Sequence, residues 1–332
     1  MIGRHRHLIG LEDLSREEIL QILTLSTSMK EVLRRPLKKV PTLRGKAIVN
    51  LFFEASTRTR TSFETAAKIL SADAVNWTAS SSSVSKGETL LDTARNIEAM
   101  RPDVLVIRHP AGGAPGFIAA RVACAVVSAG DGAHEHPSQG LLDLYTLAEH
   151  LTRVGGAPPQ APPDFDTLAG KTVTIVGDVT HSRVARSNLH GLTKLGAKVR
   201  ICGPPTMIPP GIEALGATVH YHLRPAVEGA DAVMMLRIQH ERIGDPLLPG
   251  TREYSKVWGL NERKVKEWLK PSCAILHPGP INRGVELSPE VADGPQSVIL
   301  EQVENGVAVR MAILYLVSGG APDQSTEGAA RA

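Results

Sequence analysis

Hydroxyl and guanidinium side chains are concentrated in one stretch of the chain, Ser56-Thr57-Arg58-Thr59-Arg60. The apolar run at 46–53 predicts a strand before this stretch, and the apolar spacing from Phe63 to Leu70 predicts a helix after it. The N-terminus of a helix favours an anion, hydroxyls donate to it, and arginines add charge and planar forks. The alternative is a capped helix with two solvated arginines, but capping needs only one hydroxyl. The stretch therefore predicts a phosphate-binding site built without the glycines and lysine of a P-loop.

Three further polar residues follow predicted strands in the first half of the chain. Arg108 comes directly after the apolar strand at 104–107, and the carboxyl end of a parallel strand faces the ligand crevice of an α/β sheet. His136 and Gln139 follow the strand at 125–129 and lie three residues apart at the start of a helix. The histidine can donate to a carbonyl oxygen, and the glutamine can meet an amide group. A surface arginine and a structural histidine remain the alternatives at these positions.

The second half of the chain carries residues that suit a carboxylate. The strand at 171–176 leads through a turn to Arg183 near a helix start, without the G-x-G-x-x-G pattern of a dinucleotide site. The strand at 232–236 is followed by Arg237 and Gln239, which share one face if the chain stays extended. An arginine fork beside an amide donor suits a carboxylate, and the alternative is a charged loop.

Two loops are less specific when taken alone. The last predicted core strand, at 274–276, ends at His277-Pro278-Gly279-Pro280. Because proline has no N–H group, the carbonyl groups of this turn can accept hydrogen bonds from a ligand, although a rigid turn explains the prolines equally well. The polar run at 80–88 predicts only a mobile surface loop.

The motifs of the first half resemble those of the transcarbamoylase family. Ser56–Arg60 followed by Ser62-Phe63-Glu64 is similar to the family's carbamoyl-phosphate signature, and Phe52-Phe53-Glu54 in front of it is most similar to the aspartate-specific catalytic chains. His136-Pro137-Ser138-Gln139 resembles the carbamoyl-recognition motif of the family. Lys86-Gly87-Glu88 resembles a loop that reaches the active site of a neighbouring subunit. The resemblance extends from about residue 8 to about residue 317.

In the second half the resemblance implies that aspartate is the acceptor. The stretch from Arg237 to Arg242 is similar to the aspartate-binding motif, whereas ornithine-specific members carry an acidic residue and Ser-Met-Gly, a tripeptide that this sequence lacks. His277-Pro278-Gly279-Pro280 is similar to the His-Pro-x-Pro of the aspartate members, many of which have leucine in place of Gly279. The ligand contact there is made by backbone carbonyl groups, which a change of side chain leaves in place.

The resemblance assigns a role to each residue of the predicted site. Carbamoyl phosphate binding is assigned to Ser56, Thr57, Arg58, Thr59, Ser82, Lys86, Arg108, His136, Gln139, Pro278 and Gly279. Aspartate binding is assigned to Lys86, Arg183, Arg237 and Gln239. Catalysis is assigned to Arg58, Thr59, Lys86 and His136, and closure of the domains to Glu54 and Arg242 with Arg183. In the family, the serine and lysine at the positions of Ser82 and Lys86 come from a neighbouring subunit, which predicts a homotrimer with shared active sites.

Composition limits the classes of partner. The chain has 332 residues, 42% hydrophobic and 21% charged, with a net charge of +3, which indicates a soluble globular protein. Its 5 Phe, 3 Trp and 4 Tyr give few aromatic rings for stacking on bases, so nucleic acid is not an expected partner. The N-terminus lacks a signal core and no run of 18 apolar residues occurs, so we expect a cytoplasmic protein without a membrane partner. The three cysteines are far apart, which favours reduced core thiols over a disulfide, a metal site or a nucleophile.

The expected fold class is α/β, with two doubly wound domains that have parallel sheets. We expect residues 1–151 to bind carbamoyl phosphate and residues 167–297 to bind aspartate. The Pro/Gly-rich stretch 152–166 is expected to connect them. By resemblance, the helix at 298–317 packs back on the first domain. The polar tail at 319–332 is expected to be disordered.

The resemblance implies transfer of a carbamoyl group from carbamoyl phosphate to the α-amine of L-aspartate, the committed step of pyrimidine synthesis. This chemistry needs no cofactor, metal or covalent intermediate, because orientation and charge stabilisation suffice. Three alternatives remain at this point: a transcarbamoylase for another amine such as ornithine, a nucleotide-binding regulatory module, and a catalytically silent relative. In addition to the homotrimer, a regulatory chain or a dihydroorotase is considered as a partner.

Overall fold

A computed structural model describes residues 2–3, 5–78, 87–238 and 250–319, except for the side chain of Thr78. The chain divides into two compact units. The first unit comprises Met1–Ser138 with Asn305–Ala332, and the second comprises Gln139–Glu304. Of the tail that the sequence predicts to be disordered, residues 320–332 lie outside the described residues.

The first unit contains a four-stranded parallel sheet with the strand order β2-β1-β3-β4. Its strands are β1 (Ala47–Phe52), β2 (Asp73–Thr78), β3 (Val104–His109) and β4 (Ala125–Asp131). Every residue of β4 and the first four residues of β3 are buried. Parallel strands covered on both faces are expected to be continuously apolar, which explains why the apolar runs in the sequence locate them.

Helices precede, connect and follow these strands, and one of them, α5, contributes residues to both units. They are α1 (Arg16–Arg34), α2 (Thr57–Ile69), α3 (Leu90–Glu98), α4 (Ala114–Ala119) and α5 (Pro137–Val154). Helix α1 begins with a capping box: the Ser15 hydroxyl accepts from the Glu18 N–H, and the Glu18 carboxylate accepts from the Ser15 N–H. Helix α5 begins at Pro137, directly after His136, because proline suits the first turn of a helix.

The second unit contains a five-stranded parallel sheet with the order β7-β6-β5-β8-β9. The strands are β5 (Thr172–Val176), β6 (Lys198–Cys202), β7 (Ala217–His220), β8 (Ala232–Met235) and β9 (Ala274–Leu276). The helices are α6 (Arg183–Lys194), α7 (Leu223–Val227), α8 (Thr251–Val257), α9 (Glu262–Trp268) and α10 (Pro289–Ala292). Helix α11 (Ile299–Val317) begins in this unit and ends in the first. One face of this sheet packs in an apolar cluster that includes Val176, Val233 and Ile275.

The predicted fold class is confirmed. In each sheet the first strand of the chain lies in the interior, β1 between β2 and β3 and β5 between β6 and β8, which is typical of doubly wound α/β domains. The last helix returns to the first unit, where Arg310 of α11 donates from Nη1 to the Ser62 hydroxyl of α2 at 3.1 Å. The Arg310 guanidinium also lies 5.2 Å from the centre of the Phe63 ring.

Strand β7 and the short helices α4 and α7–α10 are absent from the sequence prediction. Strand β7 has only four residues at a sheet edge, and three of them are partly or fully exposed, so its apolar pattern is weak. Among the described residues, no helix combines the length and apolar character needed to cross a membrane.

Candidate functional site

The polar residues predicted in the first unit follow neighbouring strands at the carboxyl edge of its sheet. Strands β1 and β3 pair with Phe52 opposite Arg108, so Arg108 lies beside the start of the Ser56–Arg60 stretch. Ser56 is the N-cap residue of α2, yet its side chain makes no capping hydrogen bond. The hydroxyl is therefore not used for helix capping, which favours the ligand-binding interpretation of this stretch.

Arg108 is held by the β1–α2 connection. Its Nε donates to Glu54 Oε2 at 3.2 Å, and its Nη1 donates to the Thr59 hydroxyl at 3.4 Å. The Arg108 and Glu54 side chains are 15% and 17% exposed, so the pair is largely shielded from solvent. The remaining guanidinium N–H groups are oriented by these two contacts at a helix N-terminus, where an anion is favoured. Arg58, one residue into α2, is exposed.

Two buried carboxylates shape the loop before His136. Glu135 accepts hydrogen bonds from the backbone N–H of Leu11 at 2.8 Å and of Glu12 at 3.0 Å. Asp131 accepts from the Glu135 N–H at 3.1 Å and from the Gly113 N–H at 2.6 Å. Because backbone groups of three segments are tied to these carboxylates, the start of α5 and the buried His136 have a defined place at the end of β4.

The two predicted carboxylate-binding arginines of the second unit follow adjacent strands. Arg183 is the first residue of α6, whose N-cap Ser182 accepts from the Ala185 N–H at 3.1 Å. Arg237 comes two residues after the end of β8. Strands β5 and β8 pair with Val176 opposite Met235, so both arginines lie at the carboxyl edge of one sheet. Arg183 is only 4% exposed, which is rare for an arginine and argues against a merely solvated side chain at the helix entry.

The turn after β9 is fixed by hydrogen bonds of its backbone. The His277 N–H donates to Gln302 Oε1 at 3.0 Å, and the Gly279 N–H donates to His277 Nδ1 at 2.9 Å. Gly279 has a φ of 66°, in the left-handed region that favours glycine. The turn is therefore held in place directly after β9, at the carboxyl edge of the sheet.

Two buried acidic residues of the second unit were not singled out from the sequence. Glu286 is 0% exposed and accepts from the backbone N–H groups of Ile238 and Asn282, each at 2.8 Å. Burial raises the pKa of its carboxyl group. Asp143 is buried one helical turn after Gln139, and this Gln–Asp spacing of four residues is a sequence signal that could have identified it.

Four residues of the predicted site lie outside the described residues: Ser82, Lys86, Gln239 and Arg242. The three cysteines, Cys124, Cys202 and Cys273, are all buried. Burial raises the pKa of Cys124 to about 11 and of Cys202 and Cys273 to about 12. Such thiols stay protonated near neutral pH, so they do not supply a nucleophile.

Two family models match consecutive parts of the chain. Residues 6–149 match the model described as "Aspartate/ornithine carbamoyltransferase, carbamoyl-P binding domain". Residues 169–317 match the model described as "Aspartate/ornithine carbamoyltransferase, Asp/Orn binding domain". The two models together span both predicted halves of the site.

Individual relatives point the same way. A protein of Anaeromyxobacter sp. (strain K) named aspartate carbamoyltransferase catalytic subunit is 75% identical over 325 residues, which cover 98% of this chain and 99% of the relative. The structure of aspartate transcarbamoylase from Trypanosoma cruzi in complex with carbamoyl phosphate and aspartate has a TM-score of 0.81 at 27% identity, covering 95% of this chain and 97% of that one. Ornithine carbamoyltransferase from Pyrococcus furiosus has a TM-score of 0.78 at 27% identity, with coverage of 95% and 97%. Backbone similarity therefore does not separate the two acceptors, and the side chains must do so.

Proposed function

Because this chain belongs to the aspartate/ornithine carbamoyltransferase family, we propose that it transfers the carbamoyl group of carbamoyl phosphate to the α-amine of L-aspartate. The amine nitrogen forms a bond to the carbamoyl carbon, the bond from that carbon to the phosphate oxygen breaks, and the amine loses a proton. The products are N-carbamoyl-L-aspartate and phosphate, in the committed step of pyrimidine synthesis. Phosphate is a good leaving group, so the site supplies orientation and charge stabilisation.

The observation that carries the acceptor assignment is the pair of arginines at the carboxyl edge of the second sheet, Arg183 at the start of α6 and Arg237 after β8. Aspartate has two carboxylates, whereas ornithine has one carboxylate and a second amine. Arg183 and Arg237 at one sheet edge suit a dicarboxylate, and they disfavour the cationic side chain of ornithine by charge repulsion. The aspartate relative at 75% identity supports the same choice.

The first unit is proposed to bind the phosphate and to polarise the carbamoyl group. The phosphate ligands are Ser56, Thr57, Arg58, Thr59 and Arg108. Arg58, Thr59 and His136 donate to the carbamoyl oxygen, where negative charge develops during attack. Held by Glu54 and Thr59, Arg108 needs little reordering when the phosphate arrives, which lowers the entropic cost of binding.

The second unit is proposed to orient the carbamoyl amine and the aspartate. Gln139 and the carbonyl groups of Pro278 and Gly279 accept from the carbamoyl NH₂ group. Arg183, Arg237 and Gln239 bind the aspartate carboxylates, and Glu54 with Arg183 and Arg242 stabilises the closed arrangement. The proposed substrate-binding domains are 1–151, which includes Gln139, and 167–297, joined by 152–166, and the bounds of the two family models support this division.

The proposed assembly is a cytoplasmic homotrimer in which Ser82 and Lys86 complete the site of a neighbouring subunit, with lysine also contacting aspartate. The support is the resemblance of the Lys86-Gly87-Glu88 segment to the family's shared loop. Inactive His136→Ala and Lys86→Ala chains should regain activity when refolded together, because some sites then receive both functional residues. A mixture as inactive as its parents contradicts shared sites. Co-purification identifies any regulatory chain or dihydroorotase partner.

The proposed function is tested by measuring carbamoyl transfer by the purified chain with L-aspartate and with L-ornithine. Turnover with aspartate alone supports the proposal. Turnover with ornithine alone retains the phosphate site but overturns the assignment of Arg183 and Arg237. Binding of carbamoyl phosphate without transfer to either amine overturns the acceptor assignment as a whole.

A further inference from the structure

A buried carboxylate in the second unit accepts hydrogen bonds from the amide groups of three side chains. Asp143 is 1% exposed. Its Oδ1 accepts from Gln139 Nε2 at 3.0 Å and from Gln302 Nε2 at 2.7 Å, and its Oδ2 accepts from Asn188 Nδ2 at 2.7 Å. These partners belong to helices α5, α6 and α11, so one carboxylate joins three elements of the unit.

The charge of Asp143 determines which way the Gln139 amide points. An ionised carboxylate accepts hydrogen bonds and cannot donate them. Gln139 therefore bonds to Asp143 only with its NH₂ group, and its Oε1 is the atom left to face a ligand. A flipped amide would turn its carbonyl oxygen toward the carboxylate and present NH₂ to the ligand, which is unfavourable on both sides.

The same argument applies to Gln302 and extends to the turn after β9. The Gln302 NH₂ group is bonded to Asp143, so its Oε1 faces the other way and accepts from the His277 N–H at 3.0 Å. His277 Nδ1 in turn accepts from the Gly279 N–H at 2.9 Å. Hydrogen bonds through Gln302 and His277 thus connect Asp143 to the Gly279 N–H, which belongs to the same peptide group as the Pro278 carbonyl.

We propose that Asp143 is a positioning residue that makes the site select an amino group on the donor substrate. By fixing the two glutamine amides, it directs acceptor atoms toward one place: Gln139 Oε1 directly, and the Pro278 and Gly279 carbonyl groups through Gln302. Acceptor atoms bind the NH₂ of a carbamoyl group and gain nothing from a methyl group at the same position. This inference rests on the proposed function, and it adds a basis for discriminating carbamoyl phosphate from acyl phosphates.

The test compares carbamoyl phosphate with acetyl phosphate, in which a methyl group replaces NH₂. In Asp143→Asn, three amide donors compete for one carbonyl oxygen, and Gln139 is free to flip. We expect the KM for carbamoyl phosphate to rise about tenfold or more, while the inhibition constants of acetyl phosphate and inorganic phosphate change less than about twofold. Equal weakening of all three ligands, or no change in any, overturns the proposal.

Asp231→Asn is the matched control. Asp231 is also a hydrogen-bonded acid of the second unit, accepting from the Thr172 N–H at 2.9 Å and from Lys270 Nζ at 3.0 Å, but it lies at the amino ends of β5 and β8. We define the carbamoyl-to-acetyl ratio as the affinity for carbamoyl phosphate divided by the affinity for acetyl phosphate. The same chemical change at Asp231 should leave this ratio unchanged. A ratio that moves equally in both variants would show a general loss of stability and overturn the role of Asp143.

Two further variants separate positioning from folding. In a Gln139→Ala background, Asp143→Asn should change the carbamoyl-to-acetyl ratio by a smaller factor than in the wild type, because the effect of Asp143 through Gln139 is already lost and only its effect through Gln302 remains. An equal factor in the two backgrounds contradicts the inference. If Asp143→Asn shows no cooperative melting, Gln302→Leu is tested in its place. This variant removes only the hydrogen bonds from Asp143 through Gln302 to His277, and it should lower the carbamoyl-to-acetyl ratio. Carbamoyl transfer to aspartate by the wild type is measured separately and tests the proposed function. Calorimetric binding of carbamoyl phosphate and of acetyl phosphate gives the ratio even if no transfer occurs.

Discussion

Arg108 and Glu54 form a hydrogen-bonded ion pair at the carboxyl edge of the first sheet, with 3.2 Å between Nε and Oε2. The pair lies beside the N-terminus of α2, where Thr59 accepts a second hydrogen bond from the same guanidinium. A planar fork with two of its directions occupied has a defined orientation toward an anion. The proposed phosphate site is thus partly organised before a ligand binds.

The first prediction concerns the fork of Arg108. Lysine keeps the charge in Arg108→Lys but cannot donate in two fixed directions at once. We expect the KM for carbamoyl phosphate to rise about tenfold or more, since hydrogen bonds to charged groups contribute about 1.5–3 kcal/mol. Initial rates at saturating aspartate measure it. Arg121→Lys, at an exposed arginine over the Phe117 ring, is the control and should behave as wild type. An unchanged KM in Arg108→Lys would remove Arg108 from the phosphate site.

The second prediction concerns Glu54, to which the family resemblance assigns domain closure. In Glu54→Gln the amide keeps one hydrogen bond at most and loses the charge that orients Arg108. We expect the inhibition constant of inorganic phosphate to rise about threefold to tenfold, in line with a charged pair shielded from solvent. Competition against carbamoyl phosphate measures this constant. A normal phosphate constant with a lower kcat would instead support closure alone.

Local patterns explain why part of this molecule could be predicted. The Ser56–Arg60 stretch, the strands around it and the capping box of α1 depend on residues close in sequence. Apolar runs located β1, β3 and β4, because buried parallel strands are apolar on both faces. The fold class and family membership are confirmed, whereas the roles of the individual site residues remain predictions.

Contacts between distant residues could not be predicted in the same way. Glu54 and Arg108 are 54 positions apart, and Asp143 and Gln302 are 159 apart. Only the topology of the sheets and helices brings such side chains together, and one sequence carries no periodic signal for them. Strand β7 was missed for a different reason, since a four-residue edge strand with exposed positions has too little apolar pattern.

The third prediction concerns the acceptor site. Arg237→Lys should raise the KM for aspartate by about tenfold and leave the KM for carbamoyl phosphate within about twofold, because lysine cannot bind a carboxylate bidentately. The two constants are obtained by varying each substrate at saturation of the other. Arg224→Lys, on the exposed face of α7, is the matched control. A variant that loses carbamoyl phosphate affinity instead would place Arg237 in the donor site.

The fourth prediction concerns Glu286, which holds the segments that follow β8 and β9 in the second unit. Removing the Glu286 carboxylate in Glu286→Ala leaves the buried Ile238 N–H and the Asn282 N–H and side-chain amide without their acceptor. We expect the free energy of unfolding to fall by about 3 kcal/mol, since each buried polar group left unsatisfied costs about 1–3 kcal/mol. Denaturant unfolding measures the change, and Glu267→Ala on the exposed face of α9 should change it by less than about 0.5 kcal/mol. Equal stability of the two variants would show that Glu286 is dispensable.

The fifth prediction concerns pH. His7 Nδ1 accepts from the Val126 N–H at 3.0 Å, and burial, assisted by Arg6, lowers the pKa of His7 below its ordinary value of 6.5. The folded state therefore binds this proton less tightly than the unfolded state, so the contribution of His7 to stability is complete above the ordinary pKa and is lost as the pH falls through the lower folded pKa. His7→Asn keeps an acceptor that does not titrate, and the wild type should lose stability relative to it between about pH 8 and about pH 5 in denaturant unfolding. His7→Phe should remove the same pH dependence while lowering stability by about 1 kcal/mol throughout, because Val126 then lacks its acceptor. If the wild type and His7→Asn keep a constant difference across this range, protonation of His7 is not linked to folding.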